Sequence, residues 1–275
     1  MYTLSIIAPV VALGAMGLFF GLLLAVSSKI FHVEQDERLP QITGVLPGAN
    51  CGGCGYPGCS GFASAVVAGE APCSGCAVGG PETAAKIAAI MGVEAGAQDR
   101  KVAHVNCRGG HNAKRKFEYE GIQDCLAASK VGSGNLACAY GCLGYGTCEK
   151  ACPYDAIHVV NGVAVVQADK CRACGLCVSS CPRHLISLVS EKQDVFVSCS
   201  SHDRGPVLRE NCNIGCIGCT LCQKTCKHDA IHVVDNLASI DYDKCVNCGE
   251  CVAVCPRKLI VRASSITSET RQSAL

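Results

Sequence analysis

The chain has 275 residues, of which 25 are cysteine and none is tryptophan. An odd number of cysteines cannot all pair within one chain, so a scaffold built only from internal disulfides is excluded. Lysine and arginine total 24 against 23 aspartate and glutamate, which gives no electrostatic reason to expect nucleic acid as a partner. Hydrophobic residues make up 49% of the chain, too many for a disordered protein. Large apolar side chains are few, so the sequence predicts several small domains held together by more than hydrophobic burial.

The amino terminus carries an uncharged stretch at residues 4–26. A helix of about 20 apolar residues spans the hydrocarbon core of a bilayer, so residues 1–28 are predicted to form a transmembrane helix and residues 29–45 a linker. A cleaved signal peptide is the alternative, but no basic residue precedes the stretch. Lys29 and Arg38 follow it, which favours a cytoplasmic location for the rest of the chain. Cytoplasmic thiols are kept reduced, so the cysteines are predicted to be metal ligands.

A glycine-rich segment follows, and residues 46–95 are predicted to form a small domain. Its sequence Cys-Gly-Gly-Cys-Gly-Tyr-Pro-Gly-Cys groups three thiols on one loop, whose backbone N–H groups can approach the sulfurs. The predicted ligands of a [4Fe–4S] cluster are Cys51, Cys54, Cys59 and Cys76. Cys73 is an alternative to Cys76, and a zinc site is an alternative to the cluster.

After a predicted connecting segment at residues 96–130, the sequence repeats with a shift of 74 residues. Nine cysteines align in this register, and the string Asp-Ala-Ile-His-Val-Val occurs in both copies. Such a repeat indicates two copies of one structural unit. We predict two ferredoxin-like units, at residues 131–190 and 199–263, followed by a polar tail at 264–275. In each unit a β-hairpin is expected, from strands 157–160 and 163–166 in the first and from strands 231–234 and 237–240 in the second.

The second unit carries two Cys-x2-Cys-x2-Cys-x3-Cys runs. Bacterial ferredoxins hold two [4Fe–4S] clusters with such runs, and the fourth cysteine of each run binds the other cluster. The predicted ligand sets are Cys216, Cys219, Cys222 and Cys255 for one cluster, and Cys226, Cys245, Cys248 and Cys251 for the other. Zinc is again the alternative, but a zinc ribbon uses two well-separated pairs of cysteines.

The first unit departs from this pattern at Tyr145, which stands where the second unit has Cys219. The complete predicted set is Cys152, Cys171, Cys174 and Cys177, and the incomplete set is Cys142, Cys148 and Cys181. Cys138 is the nearest candidate for the missing ligand, and a three-iron cluster or a non-cysteine ligand is the alternative. About five clusters are therefore expected. The remaining cysteines are interpreted as buried structural thiols or as ligands of a sixth cluster: Cys73, Cys107, Cys125, Cys199 and Cys212.

The order of these features resembles the iron–sulfur B subunit of the Rnf electron transport complex. The resemblance rests on the amino-terminal helix, on the Cys-Gly-x-Cys-Gly-Tyr-Pro-Gly-Cys domain that ends in Cys-x-x-Gly-Gly, and on the ferredoxin units. The whole chain is then expected to be an α+β protein: a transmembrane helix, a small [4Fe–4S] domain and two tandem units similar to bacterial ferredoxin.

This resemblance implies an iron–sulfur subunit of an ion-translocating ferredoxin:NAD+ oxidoreductase in the bacterial cytoplasmic membrane, with its clusters on the cytoplasmic side. Its implied partners are reduced ferredoxin, as electron donor, and the membrane and flavin-bearing subunits of the complex. No Gly-x-Gly-x-x-Gly follows a predicted strand, so the chain itself is not expected to bind NAD. The alternatives are a polyferredoxin subunit of another membrane oxidoreductase or hydrogenase, and a structural zinc-binding module.

Overall fold

Short helices and two-stranded sheets, joined by cysteine-bearing loops, make up most of the chain. A computed structural model describes residues 2–30, 36–94 and 99–264. The helices are α1 (Tyr2–Ile30), α2 (Arg38–Val45), α3 (Gly58–Val67), α4 (Gly80–Met91), α5 (Cys125–Lys130), α6 (Thr147–Lys150), α7 (Leu176–Ser180), α8 (Gly205–Asn211), α9 (Leu221–Thr225) and α10 (Glu250–Val254), with a 3-10 turn at Gly110–Asn112. The strands are β1 (Lys101–Val105), β2 (Ile157–Val160), β3 (Val163–Val166), β4 (Ile186–Ser190), β5 (Val195–Val197), β6 (Ile231–Val234), β7 (Leu237–Ile240) and β8 (Ile260–Arg262).

The uncharged amino-terminal stretch is helical throughout α1. The side chains described in its middle, at residues 11–26, are all exposed. Among the residues that the structure describes, no helix combines the length and the apolar character needed to cross a bilayer. The side chains of residues 1–10 and the predicted tail beyond residue 264 lie outside this description.

Three helices enclose the core of the small domain. Ile42 of α2, Phe62 and Val66 of α3 and Ile87 of α4 are almost completely buried against one another. Because α2 contributes to this core, the folded domain begins within the segment predicted to be a linker. The small domain therefore has a conventional apolar core, in which the cysteines lie only at the edge.

Both predicted hairpins are confirmed, with β2 paired to β3 and β6 paired to β7 in antiparallel register. The turn of the first hairpin is Asn161-Gly162, and both residues have positive φ (51° and 76°). Two-residue hairpins favour this backbone because its twist matches that of the strands. Asp235 and Asn236 repeat the conformation in the second hairpin, with φ of 48° and 63°.

A second antiparallel pair completes each unit and begins outside its predicted bounds. Strand β1, in the predicted connecting segment, pairs with β4, so that Val105 lies opposite Ile186. Strand β5, before the second unit, pairs with β8, so that Val197 lies opposite Ile260. The two units therefore share one design, in which a leading strand closes onto the last strand of the same unit.

Cysteines stand among the buried residues of both units. In the first unit Cys148, Cys171 and Cys177 pack with Ile157 and Ile186. In the second unit the corresponding core combines apolar residues of β5, β6 and β8 with two buried cysteines. A third core lies between the units, where the start of α5 and the side chain of Leu208 in α8 meet. The thiols are thus distributed through the interior of the repeat.

Candidate metal centres

The predicted ligands of the small domain surround a single cavity. Burial raises the pKa of the Cys76 thiol, and its neighbours Cys54, Cys59 and Cys51 raise it further. The Gly79 N–H donates a hydrogen bond to Cys76 Sγ over 3.4 Å. These contacts place Cys76, the predicted fourth ligand, with the three thiols of the loop.

The Asn50 side chain holds this loop in shape. Asn50 has a positive φ of 46°, and its Oδ1 accepts a hydrogen bond from the Cys59 N–H over 2.8 Å. The bond ties the residue before the first cysteine to the third cysteine, at the start of α3. The loop is therefore closed on itself around the cavity.

The complete set of the first unit also lines one cavity. Burial raises the pKa of Cys177 to about 11, and its neighbours Cys171, Cys174 and Cys152 add to the shift. Cys171 Sγ accepts hydrogen bonds from the N–H groups of Ala103, in β1, and Ala173. Cys152 comes from the end of the other run, as the ferredoxin pattern predicts.

The second unit brings eight of its ten cysteines together as two predicted sets of four. Burial raises the pKa of Cys222 to about 11, with further contributions from Cys216, Cys219 and Cys255. Burial likewise raises the pKa of Cys251 to about 11, with contributions from Cys248, Cys245 and Cys226. The second of these sets lines one cavity. In both sets the fourth cysteine of one run joins the first three of the other.

The incomplete set of the first unit gains Cys125. Burial raises the pKa of Cys148 to about 12, and the cysteines that add to the shift are Cys142, Cys125, Cys181 and Cys177. Cys125 and Cys181 are also the thiol neighbours that raise the pKa of Cys142, after burial. The structure therefore groups Cys125 with the three predicted ligands.

Cys138, the predicted fourth ligand, lies in a different group. The cysteine whose charge most affects its thiol is Cys212, of the second unit. Cys138 is close in sequence to Cys142, but the backbone turns between the two, where the Gly141 N–H donates to the Cys138 carbonyl. Proximity along the chain therefore does not bring Cys138 into this set, and Cys125 is the thiol that lies beside Cys142 and Cys148.

Local hydrogen bonds explain the position of Cys125. Asp124 caps α5 by accepting a bond from the Ala127 N–H. The Thr147 hydroxyl donates to Asp124 Oδ2 over 2.7 Å and accepts from the Cys125 N–H over 2.6 Å. Thr147 directly precedes Cys148, so these bonds fix the start of α5 beside a predicted member of the set. The sequence indicated that a ligand was missing at Tyr145, but no spacing rule identified Cys125.

The described residues contain no group of three or more His, Cys, Asp or Glu side chains close enough to hold one metal ion together. The sets consist of cysteines spread around cavities instead. In a [4Fe–4S] cluster each thiolate binds a different iron of the cube, so its ligands surround a volume. The donor type, the number of thiols and their distribution all fit such clusters.

Comparisons with known proteins agree with this chemistry. The family models that match are described as "Putative Fe-S cluster" over residues 46–78, 4Fe-4S binding domain over 164–187 and 4Fe-4S dicluster domain over 215–259. Together they support multiple [4Fe–4S] clusters in this chain. The match in the first unit begins after Tyr145 and covers only the second cysteine run of that unit.

Three relatives are similar over nearly the whole chain. The B subunit of the Na(+)-translocating ferredoxin:NAD(+) oxidoreductase complex of Acetobacterium woodii is 47% identical over 93% of this chain and 78% of its own length. The proton-translocating counterpart of Clostridium ljungdahlii is 40% identical over 98% of both chains. The B subunit of the ion-translocating oxidoreductase complex of Methanosarcina acetivorans is 38% identical over 93% of this chain and 97% of its own length.

A rescue experiment tests the position of Cys125. We expect Cys125→Ala to lower the iron content per chain and to change the EPR signal of one cluster. Adding Tyr145→Cys should restore both, because Gly144 and Gly218 have similar positive φ values (76° and 64°), so the two loops share a backbone conformation. Tyr145→Phe in the same background is the matched control and should restore nothing. A Cys125→Ala protein with unchanged iron and spectrum would refute the assignment.

The contact between the small domain and the first unit can be tested at Gly53. A Cβ at Gly53 would lie 2.5 Å from the Cys174 carbonyl oxygen. We expect Gly53→Ala to destabilise this contact by about 1–3 kcal/mol, as overpacking usually does, and to lower the melting temperature. Gly44→Ala is the control, because a Cβ at Gly44 in α2 meets nothing within 4 Å. Equal melting temperatures for the two variants would show that the contact is not tight.

Proposed function

The chain belongs to the B subunit family of Rnf-type ion-translocating ferredoxin:NAD+ oxidoreductases, and we propose that it relays electrons from reduced ferredoxin to the other subunits of such a complex. The observation that carries this proposal is the adjacency of successive thiol sets. Gly53, in the loop of the small domain, abuts the backbone of Cys174 in the first unit. Cys177 of that set in turn neighbours Cys148 of the next.

Five [4Fe–4S] clusters are assigned to the sets described above. When bound, each cluster supplies a redox centre whose potential depends on hydrogen bonds to its sulfurs and on solvent exposure. The proposed ligand sets are Cys51, Cys54, Cys59 and Cys76; Cys152, Cys171, Cys174 and Cys177; Cys125, Cys142, Cys148 and Cys181; Cys216, Cys219, Cys222 and Cys255; and Cys226, Cys245, Cys248 and Cys251. The proposed domain bounds are those of the sequence analysis, with α2 added to the small domain and β1 and β5 added to the units.

The protein contributes the environment of each set. Backbone N–H groups donate to several ligand sulfurs, as the Ala230 N–H does to Cys226 Sγ over 3.4 Å. Such bonds stabilise the thiolate and raise the potential of a bound cluster relative to the same site without them. Burial raises the pKa of seven of these thiols, which disfavours the negatively charged thiolate and so opposes the effect of the N–H···S bonds. The potential of each bound cluster therefore depends on how many N–H···S bonds its ligands accept and on how deeply they are buried.

Electron exchange with ferredoxin is proposed to take place at the second unit. Cys219 and Cys248 are exposed, whereas the other cysteines of the described residues are buried or half-buried. A soluble carrier can therefore approach these two ligand sets most closely. Electrons would then leave through the remaining sets towards the membrane and flavin-bearing subunits.

The amino-terminal helix is proposed to anchor the chain in the bacterial cytoplasmic membrane. The support is the uncharged sequence of residues 4–26 and the exposure of its described apolar side chains, among them Leu13, Leu18 and Leu24. Lys29 follows the stretch, which favours a cytoplasmic side for the cluster domains.

Reduction by ferredoxin is the direct test of the relay. Anaerobically purified full-length protein, mixed with reduced ferredoxin, should lose visible absorbance and gain EPR signals as ferredoxin is oxidised, one electron per cluster reduced. Oxidised ferredoxin is the control and should cause no change. If dithionite reduces the protein but reduced ferredoxin does not, the proposed electron donor is wrong.

Membrane anchoring is tested by fractionation of cells that produce this chain without the other subunits. We expect the full-length chain in the membrane pellet and a chain lacking residues 1–30 in the supernatant, because the first helix carries the apolar stretch. A chain lacking residues 265–275 is the control and should stay in the pellet. Equal distribution of the two truncated chains would contradict the proposal.

A further inference from the structure

Four cysteines outside the five sets meet between the two repeat units. Cys107, Cys138, Cys199 and Cys212 line one cavity. The predicted set of the small domain and one predicted set in each unit line cavities in the same way. Cys142 also reaches the wall of this cavity, but it belongs to a neighbouring set.

The two units contribute to this cavity in the same way. Cys107 follows β1 and Cys199 follows β5, and the residue before each of them donates its N–H to an equivalent carbonyl. Asn106 donates to Leu185 over 2.7 Å, and Ser198 donates to Leu259 over 3.0 Å. Leu185 and Leu259 are 74 residues apart, which is the period of the repeat. Cys107 and Cys199 are therefore structural counterparts.

The hydrogen bonds to these two sulfurs repeat as well. Cys107 Sγ accepts from the Gly109 N–H over 3.3 Å and from the Cys142 N–H over 3.4 Å. Cys199 Sγ accepts from the Ser201 N–H over 3.5 Å and from the Cys216 N–H over 3.4 Å. In both units one donor lies two residues later and the other is the first cysteine of a run.

Cys138 and Cys212 form the second symmetric pair. They are related by the period of 74 residues, and both are buried. A backbone bridge from Ala113 to Cys212 ties the loop of the first unit to the end of α8 in the second. Gly109 lies between the two halves of the cavity, because a Cβ there would be 3.5 Å from Cys107 Sγ and 3.8 Å from Cys212 Sγ.

We propose that Cys107, Cys138, Cys199 and Cys212 hold a sixth [4Fe–4S] cluster at the interface of the two units. Buried structural thiols would need neither a common cavity nor the paired N–H···S bonds on both sides of it. Two cysteines from each unit, related by the repeat, supply the four thiolates that a cube takes. With this set, 24 of the 25 cysteines are assigned and Cys73 remains.

The position of the sixth site joins the two units. Cys142, a ligand of the first unit, donates its N–H to Cys107 Sγ, and Cys216, a ligand of the second unit, donates its N–H to Cys199 Sγ. The site therefore touches one ligand set on each side. Its role as the bridge of the relay rests on the proposed function, whereas the metal site itself does not.

Iron and acid-labile sulfide, measured in anaerobically prepared full-length protein, give the first test. We expect about 24 irons and 24 sulfides per chain, from six clusters of four. A fully loaded protein with about 20 of each, or with about 20 irons and one zinc, would overturn the proposal. This measurement needs no variant and so does not depend on how a substitution affects folding.

Paired variants locate the site. Cys212→Ala and Cys107→Ala, one from each unit, should each lower the iron content and remove the same Mössbauer and EPR component. Cys73→Ala is the matched control and should retain all the iron. If either ligand variant keeps the wild-type iron content and spectrum, that residue is not a ligand and the four-cysteine site is wrong.

Failure of the site and failure of the relay give different results. A wild-type chain with about 24 irons that reduced ferredoxin does not reduce would keep the sixth site and overturn the proposed function. In a working relay, Cys212→Ala should slow electron transfer between the two units by at least tenfold in stopped-flow reduction by ferredoxin. An unchanged rate in a variant that has lost the cluster would overturn the bridging role alone.

Discussion

Binding of metal by buried thiols is the constraint on which the two repeat units depend. Their helices have only four to seven residues and their sheets only two strands, and neither element is stable alone in water. Buried cysteines such as Cys148 and Cys222 occupy central positions in their cores. When metal binding completes such a core, the binding free energy is also folding free energy. Folding and redox function therefore use the same bonds in these units.

The small domain is built on a different principle. Ile42, Phe62 and Ile87 form an apolar core between three helices, and the cysteines lie on a loop at its edge. This domain can hold its shape through hydrophobic burial, while its ligand loop is positioned by Asn50 and by close packing of Gly53 on the first unit. The chain thus joins a domain with its own core to units whose cores include the metal ligands.

Local patterns could be predicted from the sequence, whereas long-range pairings could not. Both hairpins and the crossed ligand sets of the second unit follow from turn residues and cysteine spacing. The pairing of β1 with β4 has no local signal, because the two strands lie so far apart in the chain. The sequence also does not show that Cys107 corresponds to Cys199, because the two units have different spacing at this point. Thirty residues separate Cys107 from Cys138, but only twelve separate Cys199 from Cys212. A fixed shift of 74 residues therefore aligns Cys199 with Cys125 instead.

The proposed exchange of one ligand position, from the loop residue to Cys125, fits the proposed order of the two units in the relay. In the second unit the predicted loop ligand Cys219 is exposed, and this unit is the one proposed to meet the soluble carrier. In the first unit the same loop position holds Tyr145, which packs against Tyr119 with ring centroids 5.3 Å apart. The ligand proposed there is instead Cys125, which is only 8% exposed. Because the potential of an iron–sulfur cluster depends on solvent exposure, moving the thiol from a surface loop to a buried helix start suits a site that exchanges electrons only with its neighbours in the chain.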